Sequence, residues 1–209
     1  MTSNFIGFGL RLSFLPLLVA MFFLGSDQAR AQRAGRQEAN ISKMRCYSER
    51  TPSFPASAQG NRGSRDDWCR IDLDFDTKTA PNEGWLDEIE IKWAVLADTP
   101  GSEGAKLMSV STFYTDVEDG KHSACVYIKP KFFKRYMKTS RLATNRLSLY
   151  AEIVVNGQVL SRFENKSSNR VPDGWFRRNP NLVNELLPKR LTPFAVLDYD
   201  YYEHEKVIP

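Results

Sequence analysis

From Arg146 to Glu164 the chain reads Arg-Leu-Ser-Leu-Tyr-Ala-Glu-Ile-Val-Val-Asn-Gly-Gln-Val-Leu-Ser-Arg-Phe-Glu, and no other stretch limits the fold as much. Leu147, Leu149, Ala151, Ile153 and Val155 recur at every second position, which in an extended chain places them on one face that can be buried. Asn156-Gly157 then supplies the pair of residues that tolerates positive φ at both centres of a tight turn, and Val159, Ser161 and Phe163 alternate on the far side. That is a long β-hairpin. An isolated hairpin is marginal in water, so further strands must pack against it.

The rest of the chain supplies them. A first strand is expected over about Ile41–Ser48, a second over Trp68–Asp76, a third over about Leu86–Ala97, a fourth over about Lys106–Thr115 and a fifth over about Lys121–Ile128. The hairpin provides the sixth and seventh. Ile89, Ile91, Trp93 and Val95 share a face of the third strand, and Ala94 and Leu96 make its far end apolar on both faces, which predicts a central place in its sheet. Pro130 opens a short helical piece with Phe133, Tyr136 and Met137 on one side. Asn179-Pro180 reads as a helix start, with Leu182, Val183, Leu186 and Leu187 as the apolar face of a second helix that Pro188 ends. An extended segment over about Phe194–Tyr201 precedes the tail.

Few helices separate these strands, and parallel crossovers need them. The expectation is therefore a mainly β protein: an antiparallel β-sandwich of about seven strands with two short helices. A closed barrel remains open as an alternative, because strand count does not separate the two. The 209 residues, 42% of them hydrophobic, suffice for one core.

Residues 1–31 read as a signal peptide. Arg11 precedes an apolar run, Leu12–Leu24, of about 13 residues, too short for a spanning helix, and Ala29 and Ala31 make a small-residue cut before Gln32. Residues 32–40 are polar without period and read as a flexible leader, leaving 41–209 as one domain with a C-terminal helix and extended tail. Glu49 to Asp66 holds almost no large apolar side chain except Phe54 and reads as a long loop, of the kind that is either a binding loop or mobile, with mobile the favoured reading. The localisation expected is exported, either periplasmic or cell surface and extracellular, with no stable membrane span once residues 1–31 are removed. The net charge of +4 falls to about +3 without Arg11, Arg30 and Asp27. That mild excess does not point to nucleic acid.

Three cysteines in an exported chain allow one bridge and one spare thiol. Cys69 shares a face with Ile71, Leu73 and Phe75, and Cys46 follows Met44 by two, so both point inward. Cys125 faces away from Ala124, Val126 and Ile128. A Cys46–Cys69 disulfide with Cys125 free is the pairing this predicts.

At this point Cys69, Trp93 and the strand, helical turn and hairpin series from Ala124 to Phe163 resemble an immunoglobulin-like domain. The spacing from Cys69 to Trp93 is longer than usual there, and Cys125 lies on the strand before the helical turn, which does not support the inter-sheet bridge of antibody domains. The signal peptide, long polar loop and aromatic acidic end together look like small exported immunoglobulin-like proteins encoded with type IV pilus genes in verrucomicrobial bacteria. The resemblance implies a non-enzymatic structural or interaction role in pilus assembly or surface attachment, with other exported or pilus-related proteins as partners. It does not imply a pilin, since Gly7 and Gly9 lack the cut and apolar helix that a pilin needs.

Residue constellations add candidates. Asp72, Asp74 and Asp76 line one face of a strand, where a straight backbone splays them too far apart for a calcium loop, so a solvated outer face is expected and no metal. Lys129, Lys131, Lys134, Arg135, Lys138, Arg141 and Arg146, interleaved with Phe132, Phe133 and Tyr136, form the densest basic patch. It is either solvation of a small helix or a dock for an acidic partner, lipid headgroups or a charged glycan. Tyr199, Tyr201 and Tyr202 alternate with acids near the end and suit an interface or a frayed edge. The candidate interaction patch is Lys131, Lys134, Arg135, Lys138, Tyr199, Tyr201 and Tyr202. The two histidines, His122 and His204, have no nucleophile or metal-ligand spacing around them, and no hydrolase, metalloprotease or Cys-x-x-Cys motif occurs. No enzyme and no cofactor are expected. The alternative to a structural protein is an extracellular module binding a host glycan or other ligand, with Trp85 or Trp175 as a stacking platform.

Overall fold

Asn156 and Gly157 both hold positive φ, 51° and 76°, so the chain reverses in two residues and sets Val155 opposite Gln158. The computed structural model describes residues 37–52, 66–80, 83–101, 104–139, 142–177 and 181–207. The expected cut after Ala31, most of the long polar loop and the Asn179-Pro180 start lie outside them.

Among the described residues eight strands follow in order: β1 (Glu38–Arg50), β2 (Asp67–Lys78), β3 (Trp85–Ala97), β4 (Lys106–Glu118), β5 (Gly120–Ile128), β6 (Leu147–Val155), β7 (Gln158–Asn165) and β8 (Leu186–Pro188). They form two four-stranded antiparallel sheets, β1-β2-β5-β8 and β4-β3-β6-β7. This is a β-sandwich of mainly β composition. β3 is central, as its two-sided apolar end required. β1 begins at Glu38, inside the stretch expected to be leader.

Alternation does the burying. Ile71, Leu73 and Phe75 of β2 face Ile89, Ile91, Trp93 and Val95 of β3 and the inward set of β6, all in one core. Each fully buried aliphatic side chain contributes about 2 kcal/mol of transfer free energy against the entropy of ordering the chain. Trp93 buries its polar atom at no loss, because Nε1 donates to Thr112 Oγ1 at 2.9 Å.

β7 departs from the expected alternation. The register shifts between Ile153 and Val154, so Leu160 is an extra residue. Phe163 and Ser161 still face inward, whereas Val159 is turned to the outer face. The helical piece is a single turn, α1 (Pro130–Phe132), which continues as a π-turn over Phe133–Met137. Pro130 starts it and Lys138, at φ 53°, stops it. Phe132, Phe133 and Met137 point into the core.

The second expected helix is not formed. Asn181–Pro188 instead crosses from one sheet to the other: Val183 N–H donates to Leu107 O on β4 at 2.8 Å, and Leu186–Pro188 pairs with β5. A helix would have satisfied its own backbone and left those strand edges unpaired, while Leu186 still reaches the core from the extended form. Nor is Phe194–Tyr201 extended. It winds in tight turns, with Leu197 N–H donating to Phe194 O and Tyr201 N–H to Asp198 O at 3.0 and 3.1 Å, and Asp198 takes a positive φ of 48°.

The ladder is interrupted between β1 and β7, where Ile41 N–H donates to the Ser161 hydroxyl at 3.0 Å. That break, and the short crossing segment on the other side, distinguish this sandwich from a closed barrel.

Candidate interaction surfaces

The outer face of β2, expected to be wet, is covered. Phe194 stacks flat on Tyr127, with ring centroids 4.6 Å apart and planes 4° from parallel, and Trp68 meets both edge-on. With Cys125 and Tyr202 they form a second core outside the sheet. Polar atoms close it. Arg70 Nη1 lies 3.1 Å from Glu49, Arg70 Nε lies 2.9 Å from Asp72, and the hydroxyls of Tyr202 and Tyr127 donate to Asp72 and Glu49 at 3.2 and 3.1 Å. Burial raises the Asp72 carboxyl above its ordinary range, against the opposing pull of Arg70. Asp74 is held by Arg45 and Ser123. The missed signal was the aromatic end itself: Phe194 and Tyr202 are the lid that an apolar Cys125 and Tyr127 on the outer face demanded.

Of the three expected interface tyrosines, Tyr202 is therefore buried, and only Tyr199 and Tyr201 stay exposed. Tyr201 lies beside Asp76 and His122, whereas Lys131 lies beside Trp68. Those positions on β2 are about 26 Å apart by strand rise. The structure does not gather the basic residues and the tyrosines into one patch.

All three cysteines are free, so the expected Cys46–Cys69 bridge is not formed. Cys46 pairs with Ile71 and Cys69 with Ser48, which makes the two cysteines diagonal neighbours, about 7–8 Å between Cα atoms. A disulfide needs less than about 7 Å. The hydrogen bond with Cys46, followed by burial, raises the Cys69 thiol well above its usual range. Cys125 does point away from both, under the C-terminal lid.

His122 has the connectivity of a catalytic relay: Thr77 Oγ1 lies 3.0 Å from Nε2, and Glu203 Oε1 lies 2.6 Å from Nδ1. Its chemistry is already committed elsewhere. Nε2 also faces Glu118 O at 2.7 Å, and Thr77 Oγ1 donates to that same carbonyl at 2.7 Å. Both ring nitrogens are thus engaged within the fold, Nδ1 by a carboxylate and Nε2 by a carbonyl and a hydroxyl. Burial lowers its pKa, but the bond to Glu203, that carboxylate's charge and the Glu118 carbonyl outweigh it, and the net shift is upward. This histidine clamps the tail to β5. His204 is exposed and lies against Tyr199, ring centroids 4.1 Å apart with the planes tilted by 41°.

The basic turn stands at the end of the sandwich where β5 leaves its sheet. Its aromatics enter the core and its cations face solvent. Lys134 pairs with Asp66 at 2.6 Å and Lys129 with Glu185 at 3.4 Å. Arg135 lies over Tyr136, 4.9 Å from the ring centroid. Lys131 and Lys138 are exposed and have no ion pair among the described residues. Arg141 lies outside them.

A groove of about 420 Å³ opens on the outer face of the β4-β3-β6-β7 sheet. Tyr150 and Phe176 stack along one wall, 3.5 Å between centroids. Glu152 accepts from Tyr150 OH at 2.6 Å and lies 3.8 and 3.5 Å from Lys92 and Arg162. Arg177 caps Phe176. Of the two candidate tryptophans, Trp175 is buried behind this wall with Nε1 donating to Glu164 at 2.9 Å, and Trp85 is 52% exposed at the far end of β3. Tyr150 and Glu152 alternate with inward residues in the hairpin, the one trace of this groove in the sequence.

These features define an all-β sandwich domain whose accessible chemistry sits on an outer sheet face and on its two ends. A protein-family model matches residues 30–208, and the chain belongs to that family. A crystal structure of a protein from Akkermansia muciniphila shares the fold, with a TM-score of 0.71 over 83% of this chain and 95% of that one, at 19% identity. No curated protein matches the chain.

Proposed function

We propose that this is a non-enzymatic structural and interaction protein, exported to the periplasm or cell surface, which docks an acidic protein partner through its basic end. The observation that carries the reading is the pair of exposed cations, Lys131 and Lys138, which have no ion pair among the described residues, beside the aromatic-backed Arg135. Exposed cations on a turn fixed by three buried side chains form a preorganised surface for negative charge. The occupied ring of His122 supports the absence of catalysis at that position. Strand order supports an immunoglobulin-like assignment: the first, second and fifth strands share one sheet and the third, sixth and seventh the other. Type IV pilus assembly or surface attachment is the setting suggested by the resemblance of the sequence, with residues 1–31 as the export signal.

A second reading, an extracellular glycan-binding module, is favoured by the groove, where Phe176 offers a ring face beside Lys92, Glu152 and Arg162. Capture from crosslinked cells separates the two. Replacing Lys131, Arg135 and Lys138 with Glu is expected to abolish capture of an exported acidic partner, while Phe176→Ala leaves it intact. If capture survives the charge reversal and glycan-array binding falls with Phe176→Ala, the groove reading replaces the first.

A further inference from the structure

The strands sort charge to the two ends of the sandwich. At the end that holds the β2–β3 and β4–β5 turns, Glu83, Asp87, Asp116 and Glu118 are exposed and without ion pairs among the described residues; they outnumber the exposed Lys78 and Lys121 beside the same turns, and Trp85 projects among them, 52% exposed. At the opposite end, the β5–β6 connection carries Lys131, Lys134, Arg135 and Lys138, and the acids beside it, Asp66, Asp98 and Glu185, are each paired with a cation, Lys134, Arg146 and Lys129. The two ends are about 40 Å apart along β3, several times the roughly 8 Å screening length at physiological salt. Within one molecule they cannot offset each other. Between two molecules they can touch.

We infer that copies of this chain associate head to tail, the acidic end with Trp85 docking on the basic turn of the next copy. The inference rests on the reading of the basic end as a docking surface and names its partner: a second copy. Charge complementarity selects that occupant, because each end is repelled by its like and attracted by its opposite, which disfavours a two-fold dimer and favours a heterologous contact. Trp85 supplies the desolvated anchor that rim charges alone lack; an exposed indole beside cations also gains a ring–cation contact.

Sedimentation velocity on the purified protein tests this, with Trp85→Ser for one end and the double variant Lys131→Gln, Lys138→Gln for the other. All three substitutions are at exposed side chains, and an unchanged melting temperature verifies folding. In about 20 mM salt the wild type is expected to grow in mass with concentration and to revert to monomer near 0.5 M. Each variant alone is expected to associate at least about tenfold more weakly. An equal mixture of the two variants retains one competent acidic end and one competent basic end, so it is expected to form dimers and nothing longer. A wild type that stays monomeric at low salt overturns the inference, and so does a dimer that the mixture fails to restore, which marks a like-to-like contact. If the wild type is monomeric but charge reversal still abolishes capture of another acidic protein, the docking reading stands and only self-association falls.

Discussion

His122 sits on the seam between tail and sheet, with a carboxylate on one nitrogen and a carbonyl on the other. Its folded pKa is raised, so its contribution is fully present below the unfolded value of about 6.5 and is lost as pH rises through the folded value. His122→Gln is expected to cost about 1.5 kcal/mol in urea titrations near pH 6, and much less near pH 9. A difference between wild type and variant that grows with pH would contradict the clamp. Single residues of this kind were the least legible part of the sequence. His122 looked inert because its partners, Thr77 and Glu203, lie far from it along the chain, and no spacing rule joins them. The Cys46–Cys69 pairing went astray for a related reason: alternation tells which way a side chain points, but the bridge depends on a register that only the paired strands define.

Among elements, the strands were readable because burial on one face enforces period two, and the inward sets of β2, β3 and β6 lie where the pattern put them. The stretches after Asn165 were not. Leu182, Val183, Leu186 and Leu187 have helical spacing, yet open edges on β4 and β5 outbid it, since tertiary hydrogen bonds outweigh local propensity of a few tenths of a kcal/mol per residue. The turns over Thr192–Tyr202 act as a lid, which gives Cys125 a measurable role as reporter. Burial raises its thiol pKa and Phe194 shields it. Phe194→Ala is expected to destabilise the lid by about 3 kcal/mol and to speed maleimide labelling of Cys125 in the folded protein, leaving Cys69 protected between the sheets. Equal labelling of both thiols would mean that global unfolding, not lid opening, exposes them.

Across the whole molecule the two sheets share one core, so damage on either side is expected to be felt as one event. Ile91→Ala, in the centre of β3, is expected to lower stability by about 3 kcal/mol with coincident loss of tryptophan fluorescence and β circular dichroism. Separate transitions would show that the sheets melt independently. The sandwich itself was legible from the chain; its groove and its charge polarity were not, because both arise from which loops the topology brings to the same side. The lid carries one more implication, for how the protein is made. Synthesis delivers β1 to β7 first, and until residues 194–207 emerge, Cys125 and Tyr127 have no cover and the β4 edge near Phe113 lacks its bond from Lys206 N–H. Through that interval the nascent chain is at its most prone to wrong partners, and a holding chaperone would have its greatest effect there.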